Sequence, residues 1–193
     1  MARPLEFDET AALEAAIGCF WRRGYEATSV RELAASMGVS APSLYNTYGD
    51  KHALFVQALE HYLDHTTRAR IKRLEDTLPP KQAVRKFIEE IIDRSVGDRE
   101  RRGCFLINSA LEIAPHDAKL SALIADRLVE IERFFHRSIR RAQAEGSVPR
   151  NRSAKDSARL LLGVLLGIRV LARVRPERAL LEGIARPALA LLD

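Results

Sequence analysis

Two groups of side chains in this 193-residue chain could do chemistry by their type and spacing. Cys104 follows Arg101-Arg102-Gly103 and opens the apolar stretch F-L-I-N-S-A-L-E, which predicts a helix from about Phe105 to Ala114. A thiol at a helix N-terminus beside guanidinium groups is in the setting that favours a thiolate nucleophile. The alternative is a small, inert residue starting a helix. His61 and His65 stand four residues apart with Asp64 between them, the spacing of a two-histidine zinc helix. The glutamate of such a helix and a third ligand are absent, so this reads as a solvated helix face. Two cysteines, Cys19 and Cys104, build neither a disulfide framework nor a four-ligand zinc site, and Cys19 reads as packing. No G-x-S-x-G, phosphate loop or glycine-rich nucleotide turn is found. Neither an enzyme nor a cofactor-dependent protein is expected.

A different kind of chemistry is written in V-R-E-L-A-A-S-M-G-V-S-A-P-S-L-Y, Val30 to Tyr45. Ala34 is small where two helices must cross closely. Gly38 sits where a tight turn needs positive φ. Leu33, Met37, Val39 and Leu44 supply the apolar contacts that fix the angle between the helices. The second helix begins with small residues and is short enough to enter a DNA major groove about 12 Å wide. This is the internal logic of a helix-turn-helix.

The elements that must position this motif are helical throughout. Ala, Leu, Arg and Glu dominate, 47% of residues are hydrophobic and 30% charged, and strand-like runs are nearly absent. Residues 1–7 read as a loose arm. A first helix is expected from Asp8 to Gly24, with Leu13, Ala16, Ile17, Phe20 and Trp21 on one face. Ser29 and Glu32 have capping-box spacing before a helix over Val30–Met37. Ser40 is the expected N-cap of the next helix, with Pro42 in its first turn. Asp50 caps a long helix from Lys51 to about Leu74. After Leu78-Pro79-Pro80 further helices are expected over Lys81–Val96, Phe105–Ala114, His116–Glu145, Ser153–Val174 and Pro176–Leu192, giving about nine in all.

The formal net charge of +5 is a poor guide to a nucleic-acid partner: residues 1–75 carry a net −1, the remainder +6. No signal-peptide pattern is present at the N-terminus. The most apolar run, Leu160 to Leu171, is short beside the roughly 20 residues of a membrane span, so it reads as a buried helix and no membrane partner is expected. A cytoplasmic protein with reduced thiols follows. Gly163 and Gly167 in that run permit close helix approach. With Leu180, Leu181, Ile184, Leu189, Leu191 and Leu192 it predicts a four-helix dimer interface from the last two helices, the alternative being a core within one chain.

The stretch Thr28 to Phe55, T-S-V-R-E-L-A-A-S-M-G-V-S-A-P-S-L-Y-N-T-Y-G-D-K-H-A-L-F, with the preceding F-W-R-R-G-Y-E-A, resembles the signature of the TetR family of regulators. The remaining residues match in length and helical layout. The resemblance implies an all-α fold with a DNA-binding domain over residues 1–52 and a ligand-binding and dimerisation domain over residues 53–193. It implies a homodimeric repressor that binds a palindromic operator in double-stranded DNA, its heads on half-sites about one helical turn apart or somewhat more, and is released by a small-molecule effector. A DNA-binding or architectural protein of the same fold without a ligand, or an activator, are the alternatives.

Residue roles follow from the match. Tyr45, Lys51 and either Thr28 or Ser29 would contact phosphates. Ser40, Ala41, Pro42, Ser43 and Asn46 would face base edges or nearby backbone, with Ser43 and Asn46 carrying most readout. Tyr48 would add a hydroxyl contact or pack. Arg101 to Glu112 resembles a Gly-Cys-x-x-x-Asn turn of one branch of the family, some of whose members sense electrophiles or oxidants through the cysteine, which implies that role for Cys104. An effector cavity would be lined by Tyr62, Phe87, Ile91, Cys104, Asn108, Leu111, Glu112, Phe134 and Phe135, with Asn108 and Glu112 both pointing inward.

Overall fold

The computed structural model describes residues 8–193, so the arm expected over residues 1–7 lies outside the described residues. The helices are α1 (Glu9–Arg23), α2 (Val30–Met37), α3 (Ala41–Tyr48), α4 (Lys51–Leu63), α5 (Ala69–Thr77), α6 (Pro80–Gly97), α7 (Phe105–Glu112), α8 (Ala118–Ala144), α9 (Ala154–Leu171) and α10 (Arg178–Leu189). A π-helical turn, Asp64–Arg68, joins α4 to α5, so the two form one of nine helical elements among the described residues. No strand occurs among those residues, and no helix is long and apolar enough to cross a membrane.

The chain divides into two compact units, the first ending at Thr66 and the second beginning at Thr67. In the first, Asp8 caps α1 by accepting from the Ala11 N–H at 3.0 Å. The buried stripe of α1 is Ala12, Leu13, Ala16, Ile17 and Phe20, while Trp21 stays half-buried and meets the ring of Tyr62 edge-on at 5.0 Å. Phe20, Tyr25 and Phe55 form a small aromatic knot, with centroids 5.1 Å apart for Phe20–Phe55 and 5.0 Å for Tyr25–Phe55. Leu54, Phe55, Ala58, Leu59 and Tyr62 line the buried face of α4, and α4 packs on α1. This packing explains why the compact unit runs on to Thr66, where a division after residue 52 would cut α4 from the helix it buries against.

In the second unit the buried positions of α6 follow the helical repeat: Val84, Phe87, Ile88, Ile91, Ile92 and Ser95. Those of α8 do likewise from Leu120 to Ala142. The rings of Phe87, Phe134 and Phe135 meet at the centre, 5.2–5.5 Å apart. A fully buried phenylalanine of this kind contributes about 3–5 kcal/mol relative to alanine. Around this core Arg68 and Arg127 both hold Glu130, and Arg137 holds Glu75 at 2.9 Å. Burial alone would push the Glu130 carboxyl up, but its hydrogen bonds from Arg68 and Arg127 hold it below its ordinary value.

The two C-terminal helices are only partly covered. On α9, Leu161, Leu165 and Ile168 are buried, while Leu160, Gly163, Val170 and Val174 are exposed and Val164, Gly167 and Leu171 half-buried, a continuous apolar stripe at helical spacing. On α10 and just after it, Leu180, Ile184 and Leu191 are half-buried and Gly183 and Pro187 exposed. Leu181 and Leu192, expected in a dimer interface, are at most 1% exposed and belong to the chain's own core. The helical phase puts them on the inner face.

Candidate nucleic-acid interface

The helix-turn-helix is built by local chemistry. Ser29 accepts from the Glu32 N–H at 3.2 Å while Glu32 accepts from the Ser29 N–H at 2.9 Å, a complete capping box. Those bonds, with Arg23 alongside, hold the Glu32 carboxyl below its ordinary value. Gly38 ends α2 at φ +69°, in the left-handed region, and turns the chain so that the Val39 N–H reaches the Ala34 carbonyl at 3.0 Å. Ser40 then caps α3, accepting from the Ser43 N–H at 3.2 Å, with Pro42 in the first turn. Leu33, Ala34, Met37 and Leu44 are buried, as the motif requires.

With Leu44 and Tyr48 as its anchored side, α3 presents Pro42, Ser43, Tyr45, Asn46 and Thr47 to solvent, and the capping Ser40 is exposed with them. Tyr45 is 49% exposed, a large fraction for an aromatic ring, and its hydroxyl end is available to a phosphate. The Ser40 and Ser43 hydroxyls are 2.8 Å apart. Ala41 is half-buried. Thr47, absent from the residues expected from sequence, shares with Ser40 and Ser43 the rim of a surface depression of about 450 Å³ floored by Val39, Leu44 and Tyr48. Its signal was available: it lies one turn beyond Ser43.

Lys51 lies half-buried at the start of α4, its Nζ 4.4 Å from the centroid of the Tyr25 ring and 3.5 Å from the Glu26 carbonyl oxygen. This contact of Lys51 with the Tyr25 ring was not expected from sequence. Two expected contacts are corrected. Thr28 is 1% exposed and its hydroxyl donates to the Gly24 carbonyl at 2.5 Å, tying the loop after α1. Of the pair Thr28 or Ser29, only Ser29 is exposed. Tyr48 is 3% exposed, its hydroxyl is buried with no hydrogen-bond partner among the described residues, and burial, with Glu9 nearby, pushes its phenol up. It packs, so no hydroxyl contact with DNA is open to it.

Of the expected effector-site residues, Phe87, Phe134 and Phe135 meet ring to ring within the second unit. Tyr62 belongs to the first unit. Phe87, Ile91, Phe134 and Phe135 are core of the second unit. Cys104 is the half-buried N-cap residue of α7. Asn108 is committed to the turn before it: its amide donates to the Arg102 carbonyl at 2.8 Å and accepts from Arg173 at 3.4 Å. Glu112 is half-buried, but Leu111 is 65% exposed and cannot line an interior space. A groove of about 440 Å³ between α6 and α10, bordered by Arg85, Asp93, Arg178 and Asp193, contains none of these residues. His61 and His65 stack at 4.1 Å, and the Nε2 of half-buried His61 is enclosed with no hydrogen-bond partner among the described residues, so that face of α4 is less solvated than its sequence suggests.

Residues 12–58 match the model of the bacterial regulatory proteins of the tetR family, and residues 80–187 match a tetracyclin repressor-like C-terminal domain. The chain is 31% identical over 194 residues to the HTH-type transcriptional regulator YezE of Bacillus subtilis, covering 100% of both. It is 28% identical to the HTH-type transcriptional repressor ComR of Escherichia coli, over 89% of this chain and 82% of that one. Among solved structures it resembles a cysteine mutant of the TetR family transcriptional regulator CifR complexed with 26-bp double-strand operator DNA. The TM-score is 0.88 and the identity 31%, with 99% of this chain and 100% of that one covered.

Proposed function

Because the chain belongs to the TetR family of DNA-binding transcriptional regulators, we propose that it is a cytoplasmic homodimeric repressor of a palindromic operator, with its DNA-binding residues on α3. The observation that carries the reading is the exposed face of α3, where Ser40, Ser43, Tyr45 and Asn46 stand out from a helix fixed by Leu44 and Tyr48. Ser43 and Asn46 read base edges, while Tyr45, Lys51 and Ser29 hold phosphates. A similar protein is solved on operator DNA and a relative is named a repressor, which supports the sign of regulation. The apolar stripes of α9 and α10 support dimerisation through the last two helices, since large exposed apolar patches mark interfaces.

Release follows from a small-molecule effector or from modification of Cys104, in the manner of the Gly-Cys-x-x-x-Asn branch. The Asn108–Arg102–Arg173 bonds support that branch: they fix the turn that delivers Cys104 to the start of α7. The π-helical turn Asp64–Arg68 is where the chain leaves the reading unit, and such turns recur at functional joints. An effector acts only if it prefers the state that DNA disfavours.

The test is a footprint of the purified protein on DNA upstream of its own coding region, with and without a mild thiol-reactive electrophile. A protected palindrome lost on treatment, and retained in Cys104→Ser, supports the repressor and its thiol switch. A footprint that persists with the wild type sinks the switch and leaves the noncovalent effector. Absence of any protected palindrome, there or in a genome-wide selection at low salt, sinks the reading.

A further inference from the structure

Arg169 interrupts the most apolar run of the chain and is only 5% exposed. It shares the inner face of α9 with Leu161, Leu165 and Ile168, on the opposite side from the Leu160–Gly163–Val174 stripe, so a second copy docked on that stripe could not neutralise it. Its partner is the hydroxyl of Ser95, which accepts from Nη1 at 3.0 Å; among the described residues it forms no ion pair. Two carboxylates of α6 are engaged elsewhere: Glu90 holds Arg70 at 3.1 Å and Arg73 at 2.6 Å, and Asp93 holds Arg178 at 2.7 Å.

The neighbourhood carries an excess of positive charge. Arg70 lies over the Phe87 ring at 5.8 Å, and burial holds its guanidinium below the ordinary range, with repulsion from Arg94 and Arg169 adding to this and Glu90 opposing it. A buried guanidinium without a counter-charge is costly. Nε and Nη2 of Arg169 have no protein partner among the described residues. On α6, Phe87, Ile91 and Ser95 fall at successive turns, which sets an apolar strip running away from the hydroxyl.

We propose that Arg169 and Ser95 form an anion site in the second unit that takes the carboxylate of a small apolar acid. The two unoccupied N–H directions of the guanidinium fork receive both carboxylate oxygens, the Ser95 hydroxyl proton adds a third donor, and the apolar body lies toward Ile91 and Phe87. The inference rests on the effector reading above and names the chemical class of that effector. A second outcome is purely structural: Arg169 serves the C-terminal end of α6, whose last turn holds Ser95 and whose dipole favours a cation.

The test compares acids with their uncharged amides on the purified full chain by calorimetric titration: hexanoate, octanoate and benzoate against hexanamide, octanamide and benzamide. The wild type binds at least one acid about ten- to a hundredfold more tightly than its amide, and Arg169→Met abolishes that preference. Equal affinity of every acid and its amide for the wild type, absence of binding by all the acids, or an acid preference that survives in Arg169→Met would overturn the site in favour of the structural outcome. The wild-type comparison decides alone if the variant does not fold. Failure of the effector reading is separate. An acid that binds through Arg169 but leaves the operator footprint unchanged removes the effector role and keeps the site. A footprint released by electrophile with no acid preference keeps the regulator and removes the site.

Discussion

Lys51 stands over the face of Tyr25, with Nζ 4.4 Å from the ring centroid. The ring in turn packs edge-on against Phe55 at 5.0 Å, so the ammonium at the start of α4 is held by the aromatic knot of the first unit. A lysine held this way loses less side-chain entropy when it meets a phosphate. Tyr25→Leu, which keeps apolar bulk, should therefore weaken operator binding about two- to fivefold with the salt dependence intact. Lys51→Ala should lower the salt slope by about one. Fluorescence anisotropy against salt concentration measures both. Wild-type affinity in Tyr25→Leu would show that the ring only packs.

The exposed face of α3 separates readers from holders. Asn46→Ala and Ser43→Ala should relax sequence preference, each removed base-edge hydrogen bond weakening discrimination by about 1–3 kcal/mol. Tyr45→Phe should weaken all sequences alike, because a phosphate contact carries no base information. Binding-site selection on a randomised operator, run with each variant, separates the two. A uniform loss in Asn46→Ala would move readout to other residues of the face, Thr47 first among them.

Tyr48 makes the opposite prediction. Its hydroxyl is buried without a partner among the described residues, so removing it relieves a desolvation cost while the ring keeps filling the space beneath α3. Tyr48→Phe should leave operator affinity unchanged and raise stability by up to about 1 kcal/mol. Urea unfolding monitored beside a DNA titration tests it. A clear loss of DNA affinity would mean that the hydroxyl reaches the DNA after all.

These side chains show where sequence was sufficient and where it was not. Ser29, Ser40, Asp50 and Gly38 were legible because a cap or a left-handed turn is decided within four residues, and each acts as its spacing predicted. Thr28 and Tyr48 were not, because a hydroxyl reads as polar whether it meets DNA, a carbonyl or nothing. Only the folded environment tells them apart. Leu111 failed for a different reason. In F-L-I-N-S-A-L-E apolar side chains fall on several faces of a helix of eight residues, so the phase that buries Phe105, Leu106 and Ile107 could not be read from spacing. The reach of the first unit past residue 52 depends on α4 packing against α1, an association of segments far apart in sequence. The cationic interior at Arg169 was hidden inside an apolar run that otherwise read as uniform.

The turn before Cys104 gives the last prediction. Gly103 adopts φ +75°, and a Cβ there would sit 2.9 Å from the Cγ and Cδ of Arg173 and 3.3 Å from the Asn108 amide oxygen. Gly103→Ala therefore meets two separable costs: backbone strain of about 1–2 kcal/mol for a left-handed alanine, and a collision that displaces Arg173. Displacing Arg173 loosens its bond to Asn108, the residue that also ties down the Arg102 carbonyl. Arg173→Ala should thus restore part of the stability lost in Gly103→Ala, with a coupling of roughly 0.5–1.5 kcal/mol in a double-mutant cycle. The thiol at residue 104 should react faster in Gly103→Ala than in the wild type, because the turn that orders it is loosened. Urea unfolding of the four proteins, together with the rate of labelling by a thiol reagent in Cys19→Ser backgrounds, tests the arrangement. Additive losses and an unchanged labelling rate would show that Arg173 and Asn108 do not act on the Cys104 turn.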